Sequence, residues 1–221
     1  MFNHYKKVQR TILETTLRLL TDYDLQATSM AMISKESGIS IGSIYHHFSS
    51  KEEIINELYR GIAAFQTDLV LKDYFTDIPI RERFETAWRR VFETGMDYPD
   101  AFRFLEQYSL SPYIYEESKQ EAFETNWCKT LADLYNEAAL KGLFIGMNPR
   151  LMVQMHYGNA VFLVKAYLQN NLDLNTVVIR SVIGTFWNSV STAKGFGTLS
   201  INISESIEDT DTKESFQLFW D

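Results

Sequence analysis

Cysteine is almost absent. Cys128 is the only one in 221 residues, so no internal disulfide can form. Histidine is nearly as scarce, and His4 and His156 lie far from the His46-His47 pair and from Cys128, without ligand spacing, so no metal site is expected. No apolar run reaches the length of a membrane span and no signal peptide opens the chain, which makes a soluble, cytoplasmic protein with no membrane partner the expectation. Also missing are a Glu-x-x-His pair, a Gly-rich phosphate loop and a Gly-x-Ser-x-Gly turn. Without them the usual routes to metal, phosphoryl and acyl-transfer chemistry are closed. A helical-bundle enzyme is therefore the weakest reading, and no cofactor is implied.

Positive charge is also short, with 21 Lys and Arg against 29 Asp and Glu for a net charge of -8. The deficit is not evenly spread. Residues 1–60 hold seven of each sign and are neutral, while the remainder carries 14 basic against 22 acidic residues. Lys6, Lys7 and Arg10 cluster near the amino terminus, where they can approach phosphates, so any nucleic-acid contact rests on few charges.

What the chain does have is helical periodicity and, with 45% hydrophobic residues, enough apolar matter for a sizeable core. Val8, Ile12, Leu13, Thr16, Leu19, Leu20 and Tyr23 recur at helical spacing and make an amphipathic first helix. Residues 28–53, TSMAMISKESGISIGSIYHHFSSKEE, then carry three helix signals in close succession. Ser29 is a good N-cap, Ile33 points inward, and Ser34 is small enough for a second helix to cross closely. Gly38 can adopt the positive φ that ends a helix sharply. Ser40 caps the next helix, whose inward positions are Ile44 and Phe48. Its outward face carries Ile41, Ser43, His46 and His47, with Tyr45 beside them. Ser50 and Glu53 form a capping box that starts a third helix, expected to run to about Leu71.

The sequence Tyr45-His46-His47-Phe48, followed by Ser50-Lys51-Glu52-Glu53 and preceded by Gly38-Ile39-Ser40 and Gly42, resembles the TetR family of bacterial transcriptional regulators. At motif level the resemblance covers residues 5–60. It implies an all-α fold: an amino-terminal three-helix helix-turn-helix DNA-binding domain, followed by a larger helical ligand-binding and dimerisation domain. By position it implies that Tyr45, His47 and Lys51 touch phosphates and that Ser40, Gly42 and Ser43 lie at the groove floor. Many members have lysine or proline where this chain has Ile41, which can instead meet a thymine methyl. The candidate DNA-facing set is Ser29, Ser40, Ile41, Gly42, Ser43, Tyr45, His46, His47 and Lys51. For Tyr45 and His46 the alternative is simple coverage of the domain surface.

Boundaries follow at 1–53 for the DNA-binding domain, 54–194 for the effector-binding and dimerisation domain, and 195–221 for an acidic, mobile tail. In the second part, helices are expected over 80–97, 99–109, 112–142, 149–170 and 174–194, with Pro79, Pro99, Pro112 and the Gly142–Pro149 segment as punctuation. Aromatic residues are dense there, and most need no explanation beyond a core. Some, with nearby polar groups, suit a small-molecule chamber. The candidates are Trp88, Phe92, Phe104, Tyr108, Phe123, Trp127, His156 and Asn159; a histidine on an apolar helix, as here, is more often a satisfied core residue. Carboxylates among the aromatics suit a cationic lipophilic guest, although solvated helix faces explain them equally. The last two expected helices are apolar around Gly158, Ala160 and Gly184 and suit pairing with a symmetry mate, burial of both within one subunit being the alternative. The expected protein is a homodimeric repressor that a small hydrophobic effector releases from a palindromic operator in double-stranded DNA. Control by a protein partner instead of a small molecule is the alternative.

Overall fold

The computed structural model describes residues 1–72 and 74–193, the side chains of residues 123 and 124 excepted. The expected mobile tail over 195–221 lies outside the described residues. Ten α-helices and no strand occur among the described residues: α1 Lys7–Asp22, α2 Met30–Ser37, α3 Ile41–His47, α4 Lys51–Val70, α5 Ile80–Asp97, α6 Pro99–Tyr108, α7 Glu116–Thr125, α8 Trp127–Leu140, α9 Pro149–Leu168 and α10 Thr176–Val190. The fold is all-α, with an amino-terminal helix-turn-helix and a larger helical part behind it.

The local signals explain the helix ends. Ser29 Oγ accepts from the Met32 N–H at 3.2 Å, Ser40 Oγ from Ser43 at 3.3 Å, and Ser50 Oγ from Glu53 at 3.1 Å, each satisfying an amide that the helix itself leaves open. Gly38 ends α2 at φ +70°. The Glu53 carboxylate reaches one residue beyond the usual capping box and accepts from both the N–H and the hydroxyl of Ser49. Ser34 is more than small: its hydroxyl donates to the Ile39 carbonyl at 2.7 Å and ties the corner between α2 and α3.

One expected helix is two. The stretch 112–142 holds a turn as far as Tyr115, then α7, then a break at Asn126, whose extended backbone (φ -88°, ψ 168°) lets its Oδ1 cap α8 by accepting from Cys128 N–H at 2.9 Å. Pro99 and Pro149 stand at the first position of α6 and α9, where a missing N–H costs nothing. Gly142, at φ +70°, closes α8.

Two cores result. The first joins α1 to α4 through Ile12, Leu13, Leu20, Ile33, Ile44, Phe48, Ile54 and Leu58. It does not stop near residue 53, because Phe104, Leu105 and Tyr108 of α6 and Ile114 belong to it as well. The second is built from α5, α8, α9 and α10 around Trp88, Phe92, Tyr135, Val164 and Phe186. Helix α4 is common to both, since Ile54, Leu58 and Ile62 serve the first core and Val70 the second.

Candidate DNA-reading surface and effector cavity

Ile44 and Phe48 are buried beneath helix α3, while Ile41 (45% exposed) and Tyr45 (51%) are open to solvent. Ser40, Gly42 and His46 are exposed with them, Ser43 and His47 are half-buried, and the two histidine rings meet edge-on at 5.2 Å. Ser29 is exposed at the start of α2. A Cβ added at Gly42 would find no atom within 4 Å, so nothing inside the protein requires glycine at that position. Seven of the nine candidate DNA-facing residues, Ser40 to Ser43 and Tyr45 to His47, thus lie at least partly open on one short helix or at its cap.

Lys51 is placed differently from the expected phosphate contact. Its ammonium turns inward and donates to the carbonyl oxygens of Leu25 (2.8 Å) and Thr28 (3.0 Å), in the turn between α1 and α2. That turn is tight: Asp24 sits at φ +109°, its Oδ1 accepts from Ala27 N–H at 2.8 Å, and its carbonyl accepts from the Thr28 hydroxyl at 2.6 Å. Lys51 therefore pins the entry of α2 to the first turn of α4.

The aromatic cluster of the larger part is solid. Trp88 and Phe92 are 0% exposed, so no space large enough for water touches either ring, and neither lines a chamber. A hydrogen-bonded chain crosses the core: Trp88 Nε1–H donates to Tyr135 Oη (3.0 Å), Tyr135 O–H to His156 Nδ1 (2.5 Å), His156 Nε2–H to Ser189 Oγ (3.0 Å), and the Ser189 hydroxyl to the Phe186 carbonyl (2.8 Å). The directions close only if His156 is neutral with its proton on Nε2. Burial pushes its pKa down to about 4, which agrees. His156 also stacks on Phe186 at 4.6 Å and 3°, and is a satisfied core residue rather than a ligand contact.

The open space lies elsewhere. A cavity of about 520 Å³ is walled by Tyr59, Ala63 and Gln66 of α4, Leu105 and Glu106 of α6, Glu116 and Lys119 of α7, Trp127 and Cys128 of α8, and Gln154 and Tyr157 of α9. Of the eight expected ligand contacts, Trp127 lines it. Phe104 and Tyr108 instead face the first core from α6. Asn159 is exposed on the outer side of α9, its amide donating to the Met155 carbonyl. Phe123 belongs to α7, and its side chain is outside the described residues. The missed wall residues carry a sequence signal: Tyr59, Ala63 and Gln66 are spaced i, i+4, i+7, and Gln154 and Tyr157 are spaced i, i+3, each trio or pair lying on one helical face.

Profiles of two known families match the chain. That for bacterial regulatory proteins of the tetR family matches residues 12–58, and that for the tetracyclin repressor-like C-terminal domain matches residues 59–192. The chain belongs to the TetR family. Among similar members, an uncharacterised HTH-type transcriptional regulator of Haemophilus influenzae is 23% identical over 180 residues, spanning 81% of this chain and 93% of that protein. The HTH-type transcriptional repressor KstR2 of Mycobacterium tuberculosis is 30% identical over 157 residues, 66% of this chain and 72% of its own. Among solved structures, a TetR-family regulator from Shewanella sp. PV-4 superposes with a TM-score of 0.75 at 23% identity, covering 85% of this chain and all of that one. As a TetR-family member this protein is a DNA-binding transcriptional regulator and not an enzyme. No helix among the described residues is long and apolar enough to cross a membrane.

Proposed function

We propose that this regulator is a homodimeric repressor that sits on a palindromic operator and leaves it when a small hydrophobic effector enters the 520 Å³ cavity. One observation carries the reading: α4 belongs to both ends of it. Its first residue, Lys51, holds the turn into the helix-turn-helix, and about 22 Å further on, at 1.5 Å per residue, its Gln66 lines the cavity. A guest that presses on the Tyr59-Ala63-Gln66 face therefore acts on the rod that sets the tilt of α3.

On DNA, α3 lies in the major groove with Ser40, Ile41, Gly42 and Ser43 at its floor, and with Tyr45 and His47 toward the phosphates. The exposed Lys6 and Lys7 add phosphate contacts at the start of α1. Lys51 acts indirectly, by fixing the recognition unit. Release is a population shift: a hundredfold loss of operator affinity requires the guest to favour the released form by about 2.7 kcal/mol.

Fluorescence anisotropy against DNA from upstream of the protein's own gene, with a scrambled duplex as control at about 150 mM salt, tests the reading. Selective binding with two subunits per site is the expected result. A selection from random duplexes that yields no preferred sequence would overturn it.

A further inference from the structure

Few cations of the helix-turn-helix domain are free to meet phosphates. Of the seven in residues 1–60, Lys51 turns inward, Arg18 is paired with Asp22 and Glu36, and Arg60 with Glu57 and Glu121. The other four, Lys6, Lys7, Arg10 and Lys35, enter no ion pair among the described residues. Three of these four lie at the start of α1, within about 100° of arc around the helix.

Nothing local holds that turn in place. Its N-cap, Lys6, makes no side-chain cap bond, and no acidic residue stands in the first turn. Clustered cations at this end also oppose the helix dipole, so the turn would fray if left to itself.

The segment before it supplies the missing order. Phe2 is 1% exposed and packs into the first core against Gly61 of α4. A Cβ added at Gly61 would come within 2.8 Å of the Phe2 ring and 3.3 Å of the Tyr5 ring. Glycine inside a helix is destabilising relative to alanine, and here the absent methyl makes the seat for Phe2. Tyr5 meets Phe2 edge-on at 6.0 Å, and its O–H donates to the Glu57 carboxylate at 2.9 Å. Glu57 is steadied in turn by Arg60 at 2.5 Å. Burial first, and then the Glu57 bond, holds the Tyr5 phenol above its ordinary range, so it remains a donor. Residues 2 and 5 are both fastened to α4, and Lys6 follows directly.

We infer that residues 2–5 are a strap, in which Phe2 and Tyr5 position the Lys6, Lys7 and Arg10 cluster for the DNA backbone. Both are positioning residues and act through the cations that follow them. The inference rests on the proposed phosphate contacts of Lys6 and Lys7. A strap already seated in the free protein spares the first turn of α1 the ordering that binding would otherwise demand.

Anisotropy titrations of the full chain across a range of salt concentrations read the cluster directly, because each phosphate contact contributes about 0.9 to the slope of log affinity against log salt on duplex DNA. A random-sequence duplex is titrated beside the operator, so the test stands even where no preferred sequence emerges. Lys6→Ala combined with Lys7→Ala should lower the slope by about 2. Phe2→Ala should do the same while leaving every charge in place, and adding the two lysine changes to it should lower the slope no further. Phe2→Leu, which refills the seat, should keep the parent slope. Tyr5→Phe, which keeps the ring and removes only the Glu57 bond, carries the test if Phe2→Ala fails to fold, with a slope smaller by about one expected. A parent slope in Phe2→Ala or, should that variant not fold, in Tyr5→Phe would overturn the strap while leaving the phosphate contacts. So would lysine changes that take away their full amount on top of Phe2→Ala. Lysine changes that leave the parent slope unaltered would overturn the contacts themselves, and the role of the strap with them.

Discussion

At the scale of single residues, the side chains nearest the DNA-reading face separate into those that read and those that hold. A Cβ added at Gly42 would meet no other part of the protein, so Gly42→Ala should leave the melting temperature unchanged or slightly raised, alanine being the better helix former by up to about 1 kcal/mol. On the proposed docking, operator affinity should fall by about 10-fold or more, because the added methyl would stand where the groove floor approaches. Unchanged affinity would remove α3's first turn from the interface. Lys51 is the opposite case. Lys51→Met strands the Leu25 and Thr28 carbonyls and should cost about 1–3 kcal/mol in urea unfolding, while the slope of operator affinity against salt stays as in the parent. A slope smaller by about one would put the ammonium on a phosphate after all. His156 makes a third prediction. Its folded-state pKa of about 4 lies below the ordinary 6.5, so as pH falls through that window the unfolded chain takes up the proton first. Stability should therefore be complete above about pH 6.5 and decline toward pH 4, by on the order of 3 kcal/mol at most. His156→Gln should flatten this part of the pH profile in thermal unfolding; an unaltered slope would assign it to other groups.

At the scale of helices, the coupling between α4 and α7 runs through one buried amide. Asn56 uses all of its capacity: Nδ2 donates to the Glu52 and Tyr113 carbonyls, and Oδ1 accepts from the Tyr115 N–H and the Ser118 hydroxyl, at 2.8–3.0 Å. Helix α7, which walls the cavity, is thereby fixed to the helix that carries the recognition unit. Asn56→Ala should cost about 3 kcal/mol by leaving these partners unpaired, and the milder Ser118→Ala about 1 kcal/mol. Equal losses in chemical unfolding would mean that the network is not centred on Asn56. Nothing in the sequence around Asn56 marks it, because three of its four partners lie 57–62 residues away. The helix-turn-helix was legible because its signals are local: a cap, a left-handed glycine, an apolar pair four apart. The same local chemistry at Asn126 was there to be read, yet the surrounding helix formers hid it. The cavity was misplaced for a different reason. Aromatic density marks where a core is filled, and a filled core such as that around Trp88 and Phe92 leaves no room for a guest. Space opened instead where α4 and α9 present small and polar residues, Ala63, Gln66 and Gln154, to one another. Trp127 is shared between the two because it stands at their boundary.

At the scale of the whole molecule, the unanswered apolar surface belongs to α9. Its inner face supplies Met152, Val153, Ala160 and Val164 to the core, but Leu151, Met155 and Phe162, the last 71% exposed, form a stripe at helical spacing on the outer face. Gly158 lies on the same stripe, with open space above it, and Val177 of α10 is exposed as well. A second copy applied about a two-fold axis would cover these residues with their own counterparts, the self-complementary arrangement of an isologous interface, and Gly158 would let the paired helices approach closely. Two α3 helices would then be held at the separation of successive major-groove faces, about 34 Å. Phe162→Glu places two carboxylates against each other at the centre of such an interface, where like charges and lost apolar area act together. The variant should sediment as a monomer at micromolar concentration and lose operator affinity by at least ~100-fold, while its far-ultraviolet circular dichroism stays helical because Phe162 contributes little to the fold of one subunit. A variant that still sediments as a dimer would move the two-fold axis away from α9, and a variant that is monomeric yet binds the operator as before would show that each recognition unit reads its half-site alone.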